Sequence, residues 1–348
     1  MKKEKILVGL SGGVDSAVAA ALLLEQGYEV VGGFMKNYVS DTGTCTTYKD
    51  AAEAIKVANF LGIELLSFDL QKEYQEKIID YIFAGYEKGI TPNPDVLCNS
   101  LIKFDVFLNK ALEMGFDKIA TGHYSRIKGQ YELLRGVDHD KDQSYFLAGL
   151  DQFQLSKSLF LLGDMIKSEV RQKAKEIGLP NANRKDSQGL CFIGNVPIRE
   201  FLLQRFEKKE GDIITLEGKI VGKHQGAYFY TIGQKQGLGL NFKAYVYRID
   251  IENNILYVTD KDSEELKTKS LIAKDWHWIN HNHSAIFNAT GKIRYRQNPP
   301  VPCTLSRDEN EVNGTMKVSF FEPQRAVAPG QIFVAYDGEI CLGCGTIA

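Results

Sequence analysis

Apolar positions in the first 195 residues follow two alternating periods. Short unbroken apolar runs at 5–10, 29–35, 63–68 and 118–122 read as strands buried on both faces. Between them, apolar residues recur every three or four positions over 16–26, 48–61, 71–87 and 101–114, the spacing of helices with one buried face. Gly27, Gly62 and Gly115 close three of these helices, as a C-terminal cap with positive φ requires. Strands and helices in alternation predict an α/β fold with a doubly wound parallel sheet. Such sheets bind ligands beyond the carboxyl ends of their strands.

The pattern changes near Asn195. A short helix over 197–206 is followed by β structure. Residues 211–222 read as a hairpin turning at Glu217 and Gly218, and 245–258 as another turning at Asn253 and Asn254. From about Thr268 the apolar runs are short: 285–294, 301–306, 316–321, 332–336 and 339–342, with Asp337 and Gly338 marking a tight turn. These segments predict a small antiparallel barrel. The expected organisation is a catalytic α/β domain over 1–195, a small central mostly-β domain over 196–265 and a C-terminal β-barrel over 266–348.

Composition narrows the class. With 348 residues, 44% hydrophobic and 25% charged, the chain has the profile of a soluble globular protein. No apolar stretch approaches a membrane span. The apolar run behind the basic first residues is too short for a signal peptide, so the expected location is the cytoplasm and no membrane partner is expected. The net charge of −2 excludes a nucleic-acid coat protein; any RNA contact must use local basic patches. Six scattered cysteines (Cys45, Cys98, Cys191, Cys303, Cys341 and Cys344) argue against a disulfide framework and by default are small buried hydrophobes.

Three loops carry candidate chemistry. Gly9, Leu10, Ser11, Gly12, Gly13, Val14, Asp15 and Ser16 join the first strand to the first helix. Paired glycines admit a phosphate close to the backbone, and the helix N-terminus supplies free N–H groups and a favourable dipole. Ser11 and Ser16 can add hydroxyl donors, and Asp15 can cap the helix or hold Mg²⁺. The loop lacks the Gly-Lys-Ser/Thr ending of the common P-loop. In the second loop, Pro92 and Pro94 stiffen the approach to Asp95 and Cys98, which share a helix face if the helix begins here. That placement favours a thiolate at Cys98, whereas the carboxylate opposes it; a core cysteine beside an N-capping aspartate is the alternative. The third loop, 185–194, is too polar and glycine-rich for a core strand and places Lys185 near Cys191, which reads either as a reactive thiol or as a structural cysteine at a domain boundary.

The SGGVDS sequence at 11–16 resembles the loop of the ATP pyrophosphatases. Taken with TPNPDVLCN at 91–99, ATGHY at 120–124, KDQSYFL at 141–147, DSQGLCFIG at 186–194, TIGQKQGLG at 231–239, RYRQ at 294–297 and PGQ at 329–331, the chain resembles the tRNA-specific 2-thiouridylase family from Ile6 onward. The resemblance implies ATP, with Mg²⁺, as the activating substrate and tRNA as the partner. The wobble-uridine oxygen attacks the α-phosphate, pyrophosphate leaves, and sulfur from a persulfide on Cys191 replaces the adenylated oxygen. A persulfide-donating protein is the implied upstream partner. By the same resemblance Cys98 is the partner thiol and Asp95 the acid/base; Met35 and Gly122 line the nucleotide site with the loop at 9–16. Asn93, Pro94, Asp95 and His123 meet a flipped-out base. Lys141, Asp142, Gln143, Tyr295, Arg296 and Gln331 contact tRNA. Arg294 and Arg296 flanking Tyr295 also suit RNA on physical grounds, although an exposed strand of alternating charge would look similar.

Other features carry less. Cys341 and Cys344 have CxxC spacing but lack two further zinc ligands, and His277, His281 and His283 lie beside Trp276 and Trp278 in what reads as a packed strand and loop, so no metal site is expected. Competing readings are a nitrogen-transferring synthetase of the same superfamily, an iron–sulfur thiolase using Cys45, Cys98 and Cys191, and an RNA-binding protein without turnover.

Overall fold

The structure, a computed structural model, describes residues 3–38, 47–186, 191, 194, 196–280, 285–307 and 314–348. The apolar runs form the strands that the pattern predicts: β1 (Lys5–Gly9), β2 (Glu29–Lys36), β3 (Leu65–Asp69) and β4 (Lys118–Thr121). They are followed by a hairpin, β5 (Ser125–Lys128) and β6 (Glu132–Arg135), and by β7 (Ser158–Phe160). The first sheet is wholly parallel with the order β3-β2-β1-β4-β7. β1 is central, and Ile6, Leu7 and Val8 are fully buried because helices cover both faces. One face packs the helices Val14–Glu25, Thr47–Leu61 and Lys167–Ile177. The other packs the helical stretches 71–87 and 94–113. The chain reverses its direction of sheet growth between β1 and β4, the switch point at which such sheets open a crevice.

The central unit pairs β8 (Gly211–Thr215), β9 (Ile220–His224), β10 (Tyr245–Asp250) and β11 (Ile255–Thr259) in the order β10-β11-β8-β9. Both expected hairpins are present, turning through Gly218 (φ +81°) and Asn254 (φ +53°). Their joining through the parallel pair β11–β8 was not legible in the sequence.

The C-terminal strands are β12 (Lys267–Trp278), β13 (Ile286–Lys292), β14 (Val301–Arg307), β15 (Met316–Arg325), β16 (Ile332–Asp337) and β17 (Ile340–Ile347). They run β12-β15-β14-β13-β16-β17, and β17 pairs back to β12, which closes a six-stranded barrel without free edges. Its interior holds Leu271, Cys303, Leu305, Val318, Phe320 and Phe333.

The β5–β6 hairpin of the first unit extends the barrel sheet: Leu134 pairs with Ile340, and the Arg135 N–H donates to Glu339 O at 2.9 Å. A buried ion cluster sits at this joint. Asp142 accepts from Arg135 Nε at 3.0 Å, Lys292 Nζ at 3.3 Å and the N–H groups of Gly136 and Ser144 at 3.1 and 3.0 Å. Burial alone would raise the Asp142 pKa, but Lys292, Ser144 and Arg135 together hold it below the usual carboxylate value. The α/β unit and the barrel are therefore joined by main-chain pairing and by satisfied charges.

Candidate active site

The loop after β1 is built for close backbone approach. Gly12 adopts φ +76°, and a Cβ there would lie 2.5 Å from Asp50 O and 2.8 Å from Arg184 Nη1. The Gly12 carbonyl accepts from Asn181 Nδ2 and Arg184 Nη1, each at 2.9 Å, and Arg184 is in turn ion-paired with Asp50. Ser16 Oγ accepts from Ser11 N at 3.2 Å and donates to Gly13 O at 3.1 Å. Loop and first helical turn thus brace each other. Gly122, after β4, packs on that turn: a Cβ would lie 2.7 Å from both Asp15 C and Ser16 N. Met35, buried near the carboxyl end of β2, brings its Cε within 3.3 Å of where a Cβ on Gly9 would sit.

A charged network borders the loop. Lys167 Nζ donates to Asp15 at 2.6 and 2.9 Å and lies 2.9 Å from Asp186. Tyr124 OH donates to Asp15 at 2.8 Å. Asp186 also meets Lys141 at 3.0 Å and Arg171. Burial raises its pKa, but the hydrogen bonds and charges of Lys167 and Lys141 outweigh that and hold the carboxyl far below its ordinary value.

The second and third loops meet. Asn93 caps the helix that starts at Pro94 by accepting from Val96 N, and donates to Tyr145 OH at 3.3 Å. One turn later the buried Cys98 donates its S–H to Cys191 Sγ at 3.4 Å. The Cys191 N–H donates to Asp95 Oδ1 at 3.2 Å, and Tyr74 OH donates to Cys191 O at 2.5 Å. The Lys103 charge favours the anionic form of the Cys191 sulfur. The two thiols consequently diverge. Burial, together with its neighbour's sulfur, pushes Cys98 well above the usual thiol value. The Cys98 hydrogen bond lowers Cys191; burial opposes it and Lys103 reinforces it. Burial also lifts Asp95, against the Cys191 N–H and Lys103. His123, behind β4, accepts or donates at 2.7 Å to Thr121 Oγ1 and is kept neutral by burial and by the Lys103 charge.

Three family models match the chain: the tRNA methyl transferase HUP domain over 4–195, the tRNA methyl transferase PRC-barrel domain over 199–260 and the aminomethyltransferase beta-barrel domain over 268–347. The tRNA-specific 2-thiouridylase MnmA of Nitrosomonas eutropha is 46% identical over 363 residues, spanning 100% of this chain and 99% of that protein. The namesakes from Alkaliphilus oremlandii and Staphylococcus aureus are 44% and 45% identical, spanning 99% of this chain and 97% and 95% of theirs. The chain belongs to the tRNA-specific 2-thiouridylase family.

For this 2-thiouridylase family member, the structure brings Asp95, Cys98 and Cys191 together, sets Asn93 and Pro94 at the start of the same helical stretch and packs His123 on Phe104 within it. The other expected residues sit in defined contacts. The side chain of Asp142 is sealed in the ion cluster with Arg135 and Lys292, so it has no face to offer an RNA ligand. Gln143 accepts from Tyr124 N at 3.0 Å, and Lys141 is held by Asp186. Gln331 donates to Thr91 O at 2.9 Å, fastening the barrel to the loop that precedes the thiols. Arg294, Tyr295 and Arg296 form a turn after β13 rather than a strand. Both arginines are exposed, while Tyr295 packs on Phe146 with ring centroids 4.3 Å apart. Cys98 is not a helix-terminal thiolate, because burial dominates. The cation at Cys191 is Lys103; Lys185 is exposed. Cys341 and Cys344 are buried in β17, and His277 bonds Leu150 O at 2.9 Å. Cys45, His281 and His283 lie outside the described residues.

Sequence reasoning missed Lys103, Lys167 and Arg184. Lys167 begins a highly charged helix, where a lysine looks like solvated surface. Lys103 is five residues beyond Cys98, a separation that in an α-helix does not share a face.

Proposed function

We propose that this protein uses ATP to replace the 2-oxygen of the wobble uridine in tRNA with sulfur. The observation that carries the reading is the 3.4 Å separation of Cys98 and Cys191, with Asp95 on the Cys191 amide. Gly122 packs on the loop at 9–16, and the next residue, His123, packs on Phe104 of the helical stretch that carries Cys98, so the two halves of the site meet at the end of β4.

The loop at 9–16 holds the phosphates of ATP, with Lys167 and Arg184 as nearby cations. The uridine O2 attacks the α-phosphate and pyrophosphate leaves, which turns an amide-like oxygen into a leaving group. Magnesium bound mainly through substrate phosphates needs only one or two carboxylates, and Asp15 is placed to supply one. Cys191 takes up a sulfane sulfur from a donor persulfide, whose own sulfur leaves as a thiolate. The terminal sulfur of the Cys191 persulfide attacks C2, and AMP departs. Asp95, its pKa lifted, takes the Cys98 proton. Cys98 then attacks Cys191 Sγ; the S–S bond breaks, thiouridine is released, and a Cys98–Cys191 disulfide remains for a thiol reductant to reopen. Arg294 and Arg296 suit phosphate contacts of the bound tRNA.

The test is mass spectrometry of tRNA nucleosides after incubation with ATP, Mg²⁺ and a persulfide donor. 2-Thiouridine at the wobble position, accompanied by AMP and pyrophosphate, is expected. It should disappear in Cys191→Ser, and in Cys98→Ser with persulfide as sole sulfur source. Full thiolation by Cys191→Ser would overturn the reading at its central step.

A further inference from the structure

We propose that Tyr145 is a positioning residue whose hydroxyl ties the cap of the thiol-bearing helix to the barrel, so that tRNA held on the barrel fixes Asp95 and Cys98 in place. It rests on the reading above and adds how the RNA-binding turn reaches the thiols.

The hydroxyl decides the geometry. Tyr145 lies in the short helix Ser144–Leu147 and is fully buried. A buried phenol needs hydrogen-bond partners, and this one has two from distant parts of the chain. Its oxygen lies 2.8 Å from Ile332 O at the start of β16 and 3.3 Å from Asn93 Nδ2. A carbonyl only accepts, so the single hydroxyl proton goes to Ile332 O and the phenol oxygen accepts from Asn93. That orients the carboxamide, nitrogen towards Tyr145 and oxygen towards the Val96 N–H at 3.4 Å, the bond that caps the helix. The helix so capped carries Asp95, bound to the Cys191 N–H, and Cys98, bound to the Cys191 sulfur. One hydroxyl therefore stands between the barrel and the cap.

The same barrel segment grips the chain two residues earlier. The Thr91 N–H donates to Pro329 O at 3.0 Å, and Gln331 Nε2 donates to Thr91 O at 2.9 Å. Gly330 between them has φ +87°, and a Cβ there would collide with Ile90 Cγ2. Residues 91 and 93 are thus both fastened to 329–332, one directly and one through Tyr145.

The ring of Tyr145 faces the RNA side. Its centroid is 6.2 Å from that of Tyr295, and Phe146 stacks on Tyr295 at 4.3 Å. Tyr295 stands between the exposed Arg294 and Arg296 in the turn after β13. RNA bound to those arginines restrains Tyr295, and Tyr295 restrains the ring whose hydroxyl holds the cap. Such restraint is read as slower exchange of the backbone it orders. It also enters the rate rather than the affinity, because reacting groups tolerate little misplacement.

The experiment is peptide-resolved amide hydrogen exchange over 93–99 in the full-length protein, with and without unmodified tRNA and without ATP. No sulfur is transferred, so its failure is distinct from failure of the thiolation reading. Tyr145→Phe keeps the ring and removes the hydroxyl; Asn93→Ser keeps a capping oxygen and removes the Nδ2 donor. Without tRNA, both variants should exchange roughly 2–10-fold faster than wild type, the effect of one lost hydrogen bond. Saturating tRNA should slow exchange in wild type and leave both variants unslowed, although Tyr145→Phe binds tRNA with wild-type affinity. In thiolation, Tyr145→Phe should lose at least roughly tenfold in kcat with KM for tRNA unchanged. Two variants on opposite sides of one bond guard against misfolding of either, and a native melting transition identifies the folded ones. Slowing of wild-type size in a folded Tyr145→Phe would overturn the proposal, as would no slowing in wild type or a loss confined to KM.

Discussion

Replacing Asp142 by alanine separates an internal ion cluster from an RNA contact. In the folded chain its carboxylate has no exposed surface and accepts four hydrogen bonds, two from the cations Arg135 and Lys292. Those cations are themselves 8% and 1% exposed at the side chain. Alanine would leave both without their common counter-ion; among the described residues the other carboxylate paired with Arg135 is the half-exposed Glu339, at 3.8 Å. Removing one partner of a buried charge pair costs about 3–5 kcal/mol. With a slope of a few kcal/mol per molar urea, the unfolding midpoint should drop by on the order of 1–2 M. The pH dependence adds a second reading. The folded pKa of Asp142 lies below its unfolded value, so its stabilisation is complete above about pH 4 and disappears as pH falls through the folded pKa. The variant should lack that part of the acid transition. Urea unfolding at pH 7 and at pH 3, followed by fluorescence, measures both. An Asp142→Ala protein with wild-type stability and selectively weakened tRNA binding would refute the cluster argument and return Asp142 to the RNA interface.

Two further outcomes are expected. Gly122→Ala places a methyl group 2.7 Å from the Asp15–Ser16 backbone, which cannot rotate aside; pyrophosphate release should fall by at least roughly tenfold, about 1.4 kcal/mol, and unchanged release would show that the loop tolerates displacement. Arg296→Ala removes an exposed cation from the turn after β13, and tRNA affinity and its salt slope should both fall by about one phosphate contact; an unaltered slope would remove Arg296 from the interface.

The sequence by itself determined four strands of the parallel sheet, the glycine loop after the first of them and five of the six barrel strands; β7 and β12 were not read from it. These depend on local signals: unbroken apolar runs, glycines at positive φ, tight-turn pairs and helix periodicity. It also singled out Cys98, Cys191 and Asp95, because thiols in stiffened or glycine-bearing polar loops contradict ordinary core use. Tertiary structure decided what those groups do. The meeting of Cys98 and Cys191 spans 93 positions of chain, and no periodicity reports such a contact. The hairpin β5–β6 is closed locally, yet β6 also pairs with β17, some two hundred residues away. Asp142 and Lys141 are neighbours in a polar run, but one is sealed between two cations and the other is held by Asp186. Lys103 is a further case: five residues beyond Cys98 it has no α-helical spacing to the thiol, and its charge acts on both sulfurs only in the folded chain, where the segment Cys98–Phe107 is π-helical and local periodicity no longer applies.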